Sequence, residues 1–210
     1  MKTCVIIAGG DLPGTIEIPE QTLVICADCG LRHARRLGIV PDVIVGDFDS
    51  YTEELPAGCE ILRLPVEKDV TDTMQAVLYG EERGCRVFHI YGVFGGARID
   101  HSLANIQMLH TMQTRGLKGV LHHGGTTVET QSPEEGTRRY ARFDGDFSVF
   151  SLTDKSEGVT IRGCKYPAER ITLQNCFPLG VSNCITADFA EISVEKGLLL
   201  IVRIPAVTNS

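Results

Sequence analysis

Up to about residue 125 the chain alternates short apolar runs with segments of helical pattern. "TCVIIAGG", "QTLVICADCG", "PDVIVGD", "CEILRLP", "RVFHIYG" and "KGVLHH" read as six strands in chain order. Between them, "LRHARRLG" reads as a short helix closed by Gly38, and "TDTMQAVLYGEERG" as a longer one. "DHSLANIQMLHTMQTRG" reads as the longest, with Ile99, Leu103, Ile106 and Leu109 as its core stripe and Gly116 at its end. Strands that are apolar throughout and joined by helices predict a parallel sheet covered on both faces. Ligands of such sheets lie outside the carboxyl ends of the strands. The acidic and glycine-rich clusters fall at those ends: "AGGD", "ADCG", "GDFDS", "EKDVTD" and "YGVFGGARIDH". Five consecutive junctions of this kind define one composite site.

Beyond about residue 126 the pattern changes to short alternating runs broken by Gly, Asp, Asn and Pro. "TTVETQ", "RRYARF", "DFSVFSLT", "GVTIRGCKY", "RITLQNC" and "FAEISVEKGLLLIVRIP" predict an antiparallel all-β unit, with "SVEKGLLL" as its last hairpin. The expected organisation is an N-terminal Rossmann-like, mostly parallel α/β domain over 1–125 and a C-terminal antiparallel β-sandwich over 126–210.

A chain of 210 residues accommodates one large or two small domains. Its 43% hydrophobic and 22% charged residues are those of a globular protein. The net charge of −7 argues against a nucleic-acid or anionic-membrane surface and suits a protein that meets phosphates through a metal, or a cationic substrate directly. The apolar start is too short for a signal peptide and no stretch approaches a membrane span, so a cytoplasmic location is expected. The eight cysteines lack disulfide or zinc spacing. Cys26 and Cys29 form the one C-x-x-C, read as small buried hydrophobes rather than a redox pair.

Asp47 and Asp49 of "VIVGDFDS" stand at i and i+2, which on a strand puts both on one face roughly 7 Å apart. Their repulsion, about 2 kcal/mol at an effective dielectric of about 20, calls for a compensating cation, and Mg²⁺ is the natural one for carboxylate oxygens. A plain turn accounts for the pair equally well. Asp69 and Asp72 bracket a helix start; capping explains Asp69, whereas Asp72 would sit beside the Asp47–Asp49 junction, with Lys68 a point charge for phosphate. In "GGARIDHSLANI", Gly95 and Gly96 allow close backbone approach, Arg98 offers a fork for phosphate oxygens, and Asp100 adds a carboxylate. His101 and Asn105 share a helix face. An ordinary glycine turn capped by Asp100 or Ser102 is the plainer reading. Together these residues form the inventory of a metal-nucleotide phosphotransfer site, without a Walker or protein-kinase motif.

"ADCG", "PDVIVGDFDS", "KDVTDT" and "GGARIDHSLANI", in that order and spacing, resemble the thiamine pyrophosphokinase family, and "GVTIRGCKYP" and "LGVSN" resemble its later segments. The resemblance implies an α/β nucleotide domain followed by a thiamine-binding β-sandwich, in a homodimer with sites at the subunit interface. It implies ATP with Mg²⁺ as donor and thiamine as acceptor, giving thiamine diphosphate and AMP. On the matching motifs, Asp47, Asp49 and Asp72 would hold the metal, with Asp100 close by in the catalytic set. Gly9, Gly10, Asp28, Gly30, Lys68, Thr71, Gly95, Gly96, Arg98, His101 and Asn105 would surround the nucleotide, and Ser182 and Asn183 would reach thiamine. Cys29 stands where the family reads glycine, and "GGARIDH" carries an extra residue before its arginine. With no Trp, a ring that stacks on thiamine must be Phe or Tyr. Two other readings stay open from the residues: a D-x-D phosphatase or nucleotide-sugar transferase, and a nucleotide- or thiamine-binding module that converts nothing.

Overall fold

A computed structural model describes residues 1–47, 56, 58–65, 67 and 69–206. The chain divides into two compact units, Met1–Gly124 and Gly125–Ser210. The first contains β1 (Lys2–Ile7), β2 (Leu23–Ala27), α1 (Gly30–Arg36), β3 (Val43–Gly46), β4 (Glu60–Arg63), α2 (Asp72–Glu82), β5 (Cys85–Tyr91), α3 (Ile99–Thr114) and β6 (Lys118–His123). The strands pair in parallel in the order β4-β3-β2-β1-β5-β6. The chain runs outward from β1 to β4 and then returns to lay β5 on the other side of β1. The crevice between the carboxyl ends of β1 and β5 is therefore the topological switch point, where ligands of open parallel sheets bind.

Both faces of the sheet are covered over its central strands, which is why β2, β3 and β1 from Cys4 on are apolar throughout, whereas the edge strand β4 is mostly exposed. Leu31 and Ala34 of α1 pack with Val5, Ile7, Val24, Cys26 and Ile44. On α3 the buried residues are Asn105, Met108, Leu109 and Met112. Ile99 and Leu103, expected in the core, are 76% and 59% exposed. The phase of α3 is set by Gly119 of β6: a Cβ there would lie 2.8 Å from Leu109 and 2.9 Å from Met112. The turns of the helix that carry Leu109 and Met112 sit down onto the strand, and the first turn is left outside.

Two expected caps also differ. Thr71 caps α2, accepting the Met74 N–H at 3.2 Å, and Asp69 is exposed. Neither Asp100 nor Ser102 caps α3; the N-cap position is Arg98, and no side chain caps the helix.

The second unit contains β7 (Thr126–Gln131), β8 (Arg138–Ala141), β9 (Gly145–Ser151), β10 (Lys155–Arg162), β11 (Ala168–Gln174), β12 (Phe189–Ser193) and β13 (Leu199–Pro205). β13 runs antiparallel between β7 and β9, and a four-stranded antiparallel layer has the order β11-β10-β12-β8. Phe147, Val149, Leu199 and Ile201 of the first layer share a core with Tyr140, Val159, Ile161, Leu173 and Ile192 of the second, as in a β-sandwich. The expected "SVEKGLLL" hairpin does not form. β12 pairs with β10 and β8, whereas β13 pairs with β7 and β9, so this segment crosses between layers. Buried Val194 and Leu198 anchor the crossing at both ends.

Gly30 shows how tightly the first unit is closed. A Cβ on it would lie 1.9 Å from the Ile7 carbonyl oxygen, a backbone atom with nowhere to move. Gly30→Ala is accordingly expected to lower stability by at least about 2 kcal/mol in urea unfolding, as for other overpacked sites. An unchanged midpoint would show that α1 is free to lift from β1.

Candidate active site

A cleft of about 260 Å³ lies at the switch point. Ala8, Gly9 and Gly10 follow β1, and Ala27, Asp28 and Cys29 come from the end of β2 and the turn after it. Thr71, Asp72 and Thr73 open α2, Gly92, Val93 and Gly95 to Ala97 follow β5, and Arg98, His101, Ser102 and Asn105 come from the start of α3. Of the residues singled out in the sequence, Gly9, Gly10, Asp28, Thr71, Asp72, Gly95, Gly96, Arg98, His101 and Asn105 line one cavity. Gly30, Asp47 and Asp100 are not in its wall, and Asp49 and Lys68 lie outside the described residues. Ser182 and Asn183 belong to the second unit.

The floor depends on backbone contact. The Gly10 N–H donates to the Gly92 carbonyl at 2.7 Å, and a Cβ on Gly10 would lie 2.7 Å from the carbonyl oxygens of Gly92 and Phe94. From the other side, His33 of α1 donates from Nε2 to the Gly10 carbonyl at 2.7 Å. Gly30, expected among the nucleotide contacts, is buried beneath this floor against Ile7, where it permits the packing of α1, and it is not in the cleft wall.

Asp28 is held in the left-handed region, φ 48°, with its N–H donated to the Val45 carbonyl at 2.8 Å. Its Oδ1 is buried and has no hydrogen-bond partner among the described residues. A buried, unmet carboxylate oxygen on the wall of a cleft is a waiting acceptor for a cation or a hydroxyl. Asp72 lines the same cleft from the first turn of α2. Asp47 directly follows Gly46, where an added Cβ would be 3.4 Å from the Asp28 Cα, so the β2 and β3 junctions lie side by side. Among the described residues no three acidic, His or Cys side chains converge into a metal cage. The acids fit a cation of another kind: Mg²⁺ keeps several waters and takes one or two carboxylates together with substrate phosphates.

The amino ends of two helices, α2 and α3, contribute to the cleft, and α3 carries no side-chain cap, leaving an end that favours anions. Arg98 stands there. Its Nε donates to Asp100 Oδ1 at 2.9 Å and its Nη2 to Oδ2 at 2.7 Å, both side chains being exposed. Asp100, expected in the catalytic set, is thus the partner of Arg98 at the rim, and these bonds leave other donors of the fork for an anion. Asn105, expected to hold nucleotide, is buried and donates from Nδ2 to the Val93 carbonyl at 2.8 Å, fixing the turn after β5.

Cys26 is buried and its thiol is pushed up to about 12 by burial and then by Cys59, so "CADC" offers no thiolate at that end. Cys29 departs from the expected buried role and lines the cleft.

In the second unit, Asn183 is 7% exposed and occupied inside the unit. Its Oδ1 accepts the Tyr166 N–H at 3.0 Å, and its Nδ2 donates to the Tyr166 carbonyl at 2.9 Å and to Cys164 Sγ at 3.2 Å. Asn183, expected to reach thiamine, clamps the backbone of Tyr166 with its amide. Ser182 is exposed, with φ 56° and its N–H on Ser148 Oγ at 3.1 Å. Tyr166, not singled out in the sequence, is 59% exposed, with Lys165 Nζ 5.2 Å from its ring centre. "KYP" beside "VSN" is the available signal; the clamp that joins them is visible only in three dimensions. Likewise Cys29, Gly92, Ala97 and Ser102 join the cleft wall from within the quoted motifs, whose reading assigns them no site role, and His33 supports it from beneath.

Glycine-rich turns, acids and an arginine at the carboxyl edge of a parallel sheet define a protein that handles a phosphorylated ligand. Residues 17–121 match the family model "Thiamin pyrophosphokinase, catalytic domain", and residues 136–199 match "Thiamin pyrophosphokinase, vitamin B1 binding domain". The chain is 31% identical over 219 residues to thiamine pyrophosphokinase of Bacillus subtilis (strain 168), covering 97% of this chain and 99% of the relative. A crystal structure of thiamine pyrophosphokinase from Bacillus subtilis matches with a TM-score of 0.87 at 28% identity, covering 98% of this chain and 100% of that one. Thiamin pyrophosphokinase from Candida albicans shares the fold, with a TM-score of 0.76 at 14% identity, over 96% of this chain and 90% of that one. The chain belongs to the thiamine pyrophosphokinase family. The phosphatase, glycosyltransferase and inert-module readings find no support in these matches. Among the described residues, no helix is long and apolar enough to cross a membrane.

The Arg98 guanidinium holds the Asp100 carboxyl down at about 2. Because that value lies below the ordinary carboxylate value of about 4, the pair is fully in place above about 4 and is lost as pH falls through about 2. A carboxyl-carbon NMR titration of Asp100 is expected to give a midpoint near 2, moving up toward about 4 in Arg98→Gln. Equal midpoints in both proteins would show that the pair does not persist in solution.

Proposed function

We propose that this protein transfers the β,γ-pyrophosphoryl group of ATP to the hydroxyethyl oxygen of thiamine, forming thiamine diphosphate and AMP. The observation that carries this reading is the convergence of the segments after β1, β2, β4 and β5 on one cleft, in the unit whose residues 17–121 match the catalytic domain. The division of labour follows: the first unit binds nucleotide and the second, matching the vitamin B1 binding domain, binds thiamine. A homodimer brings the two substrates together at the subunit interface, and the cytoplasm is where both are met.

In the reaction the thiamine hydroxyl oxygen bonds to the β-phosphorus, the bond from that phosphorus to the α,β-bridging oxygen breaks, AMP departs and the hydroxyl proton is released. Such transfers pass through loose transition states, so catalysis is mainly positioning and charge neutralisation, and weakly basic carboxylates suffice. Backbone at Gly9–Gly10 and Gly95–Gly96 flanks the phosphates, Arg98 and the start of α3 supply positive potential, and His101 contacts the nucleotide. Asp47, Asp49 and Asp72 would hold Mg²⁺, with Asp28 beside them. The cation, when bound, neutralises phosphate charge and makes the β-phosphorus attackable. The acids also favour the cationic thiazolium of thiamine. Tyr166 is the aromatic that receives thiamine: its ring is exposed, its backbone is clamped, and its face already attracts the Lys165 cation.

The test is incubation with ATP, Mg²⁺ and thiamine. AMP and thiamine diphosphate in equal amounts are expected; ADP with thiamine monophosphate, or no thiamine-dependent product, would refute the reading. In the same assay Asp47→Asn should lose at least about a hundredfold in kcat with an unchanged melting temperature; near-normal turnover would remove Asp47 from the metal set. Tyr166→Ala should raise KM for thiamine about fivefold and leave KM for ATP unchanged. An unaltered KM for thiamine would move the stacking role to another ring.

A further inference from the structure

Asp11 follows Gly10 at the end of β1, where its N–H donates to the Phe94 carbonyl at 2.8 Å. Its side chain crosses the mouth of the turn after β5, and Oδ2 accepts the Gly96 N–H at 3.0 Å. The fit is close: a Cβ on Gly95, which has φ +78°, would lie 2.2 Å from Oδ2. Gly95 is therefore shaped around this carboxylate, since no side chain there could share the space. The other end of the contact is equally fixed. His33 and Arg36 of α1 grip the carbonyls on either side of Asp11, those of Gly10 at 2.7 Å and Leu12 at 3.0 Å.

We infer that Asp11 is a positioning residue for the nucleotide site, a strut that transmits the rigid placement of α1 to the Gly95–Gly96–Ala97 turn and holds it open for phosphates. The inference rests on the reading of this cleft as the nucleotide site. It assigns Asp11 no contact with the reacting atoms. The carboxylate acts as an acceptor for one backbone N–H, so its amide counterpart, which keeps an acceptor oxygen, should serve nearly as well. A residue that bound a metal or a proton would not survive that exchange.

The experiment compares Asp11→Ala and Asp11→Asn with the unaltered protein by hydrogen exchange of the 93–98 segment and by titration with ATP and Mg²⁺. Asp11→Ala is expected to speed exchange in this segment and weaken ATP binding about fivefold, the worth of one hydrogen bond. KM for thiamine should stay constant, and Asp11→Asn should restore most of both effects. Unchanged exchange in Asp11→Ala overturns the strut, whatever happens to nucleotide. Faster exchange with unaltered ATP binding overturns its role in the site, and equal impairment of both variants assigns Asp11 a charge-dependent role instead. A failure of the unaltered protein to bind ATP would refute the assignment of the cleft itself, and is read separately from the exchange rates.

Discussion

The structure of the first unit depends on how closely backbone approaches backbone at the carboxyl end of β1. Gly10, Gly30 and Gly92 each sit where a Cβ would fall within 1.9–2.7 Å of a carbonyl oxygen: those of Gly92 and Phe94, Ile7, and Ala8 respectively. Three segments, from β1, α1 and the turn after β5, are thereby pressed together with no side chain between them. Real Cβ atoms do not come so near, so each contact is open to glycine alone. The cleft is what remains above this junction, and its floor is set by these backbone contacts. Such preorganisation matters for a site whose chemistry is chiefly the placement of phosphates.

Above that floor the electrostatics divide by wall. Carboxylates enter from the β2 and α2 side, with Asp28 Oδ1 buried and unmatched among the described residues. Positive potential enters from Arg98 and the uncapped start of α3. On the proposed function, a magnesium-bound polyphosphate would complement both walls at once, with the acids to hold the cation and the arginine and amides to meet the free oxygens. Asp100, outside the cleft wall, pairs with Arg98 at the rim.

Much of this is legible in the sequence because parallel strands buried on both faces must be apolar, and turns that hold ligands must be glycine-rich and polar. "TCVIIAGG" and "RVFHIYG" carry both signals in one line, and the residues they flag do meet in one cleft. What stays hidden needs a third dimension. Gly30 and Gly10 are equivalent in sequence, yet one packs a helix and the other builds the floor. Apolar residues occur on two faces of α3, and the contact with Gly119 selects the turns of Leu109 and Met112 over those of Ile99 and Leu103. "SVEKGLLL" has the composition of a hairpin, but burial of Val194 and Leu198 draws its ends into different layers. Asn183 looks like a turn residue and proves to be a clamp, because its amide matches both backbone groups of Tyr166.

The place of the triphosphate, in the crevice between the ends of β1 and β5, is the claim on which the rest turns. It is tested most directly by a crystal structure with Mg²⁺ and an ATP analogue whose α- and β-phosphorus atoms are bridged by a methylene, which blocks the scissile bond. The phosphate chain is expected to run between Gly9–Gly10 and Gly95–Gly96, with Arg98 on a phosphate oxygen and the cation on the Asp72 side. Nucleotide bound elsewhere, with this crevice left to solvent, would contradict it.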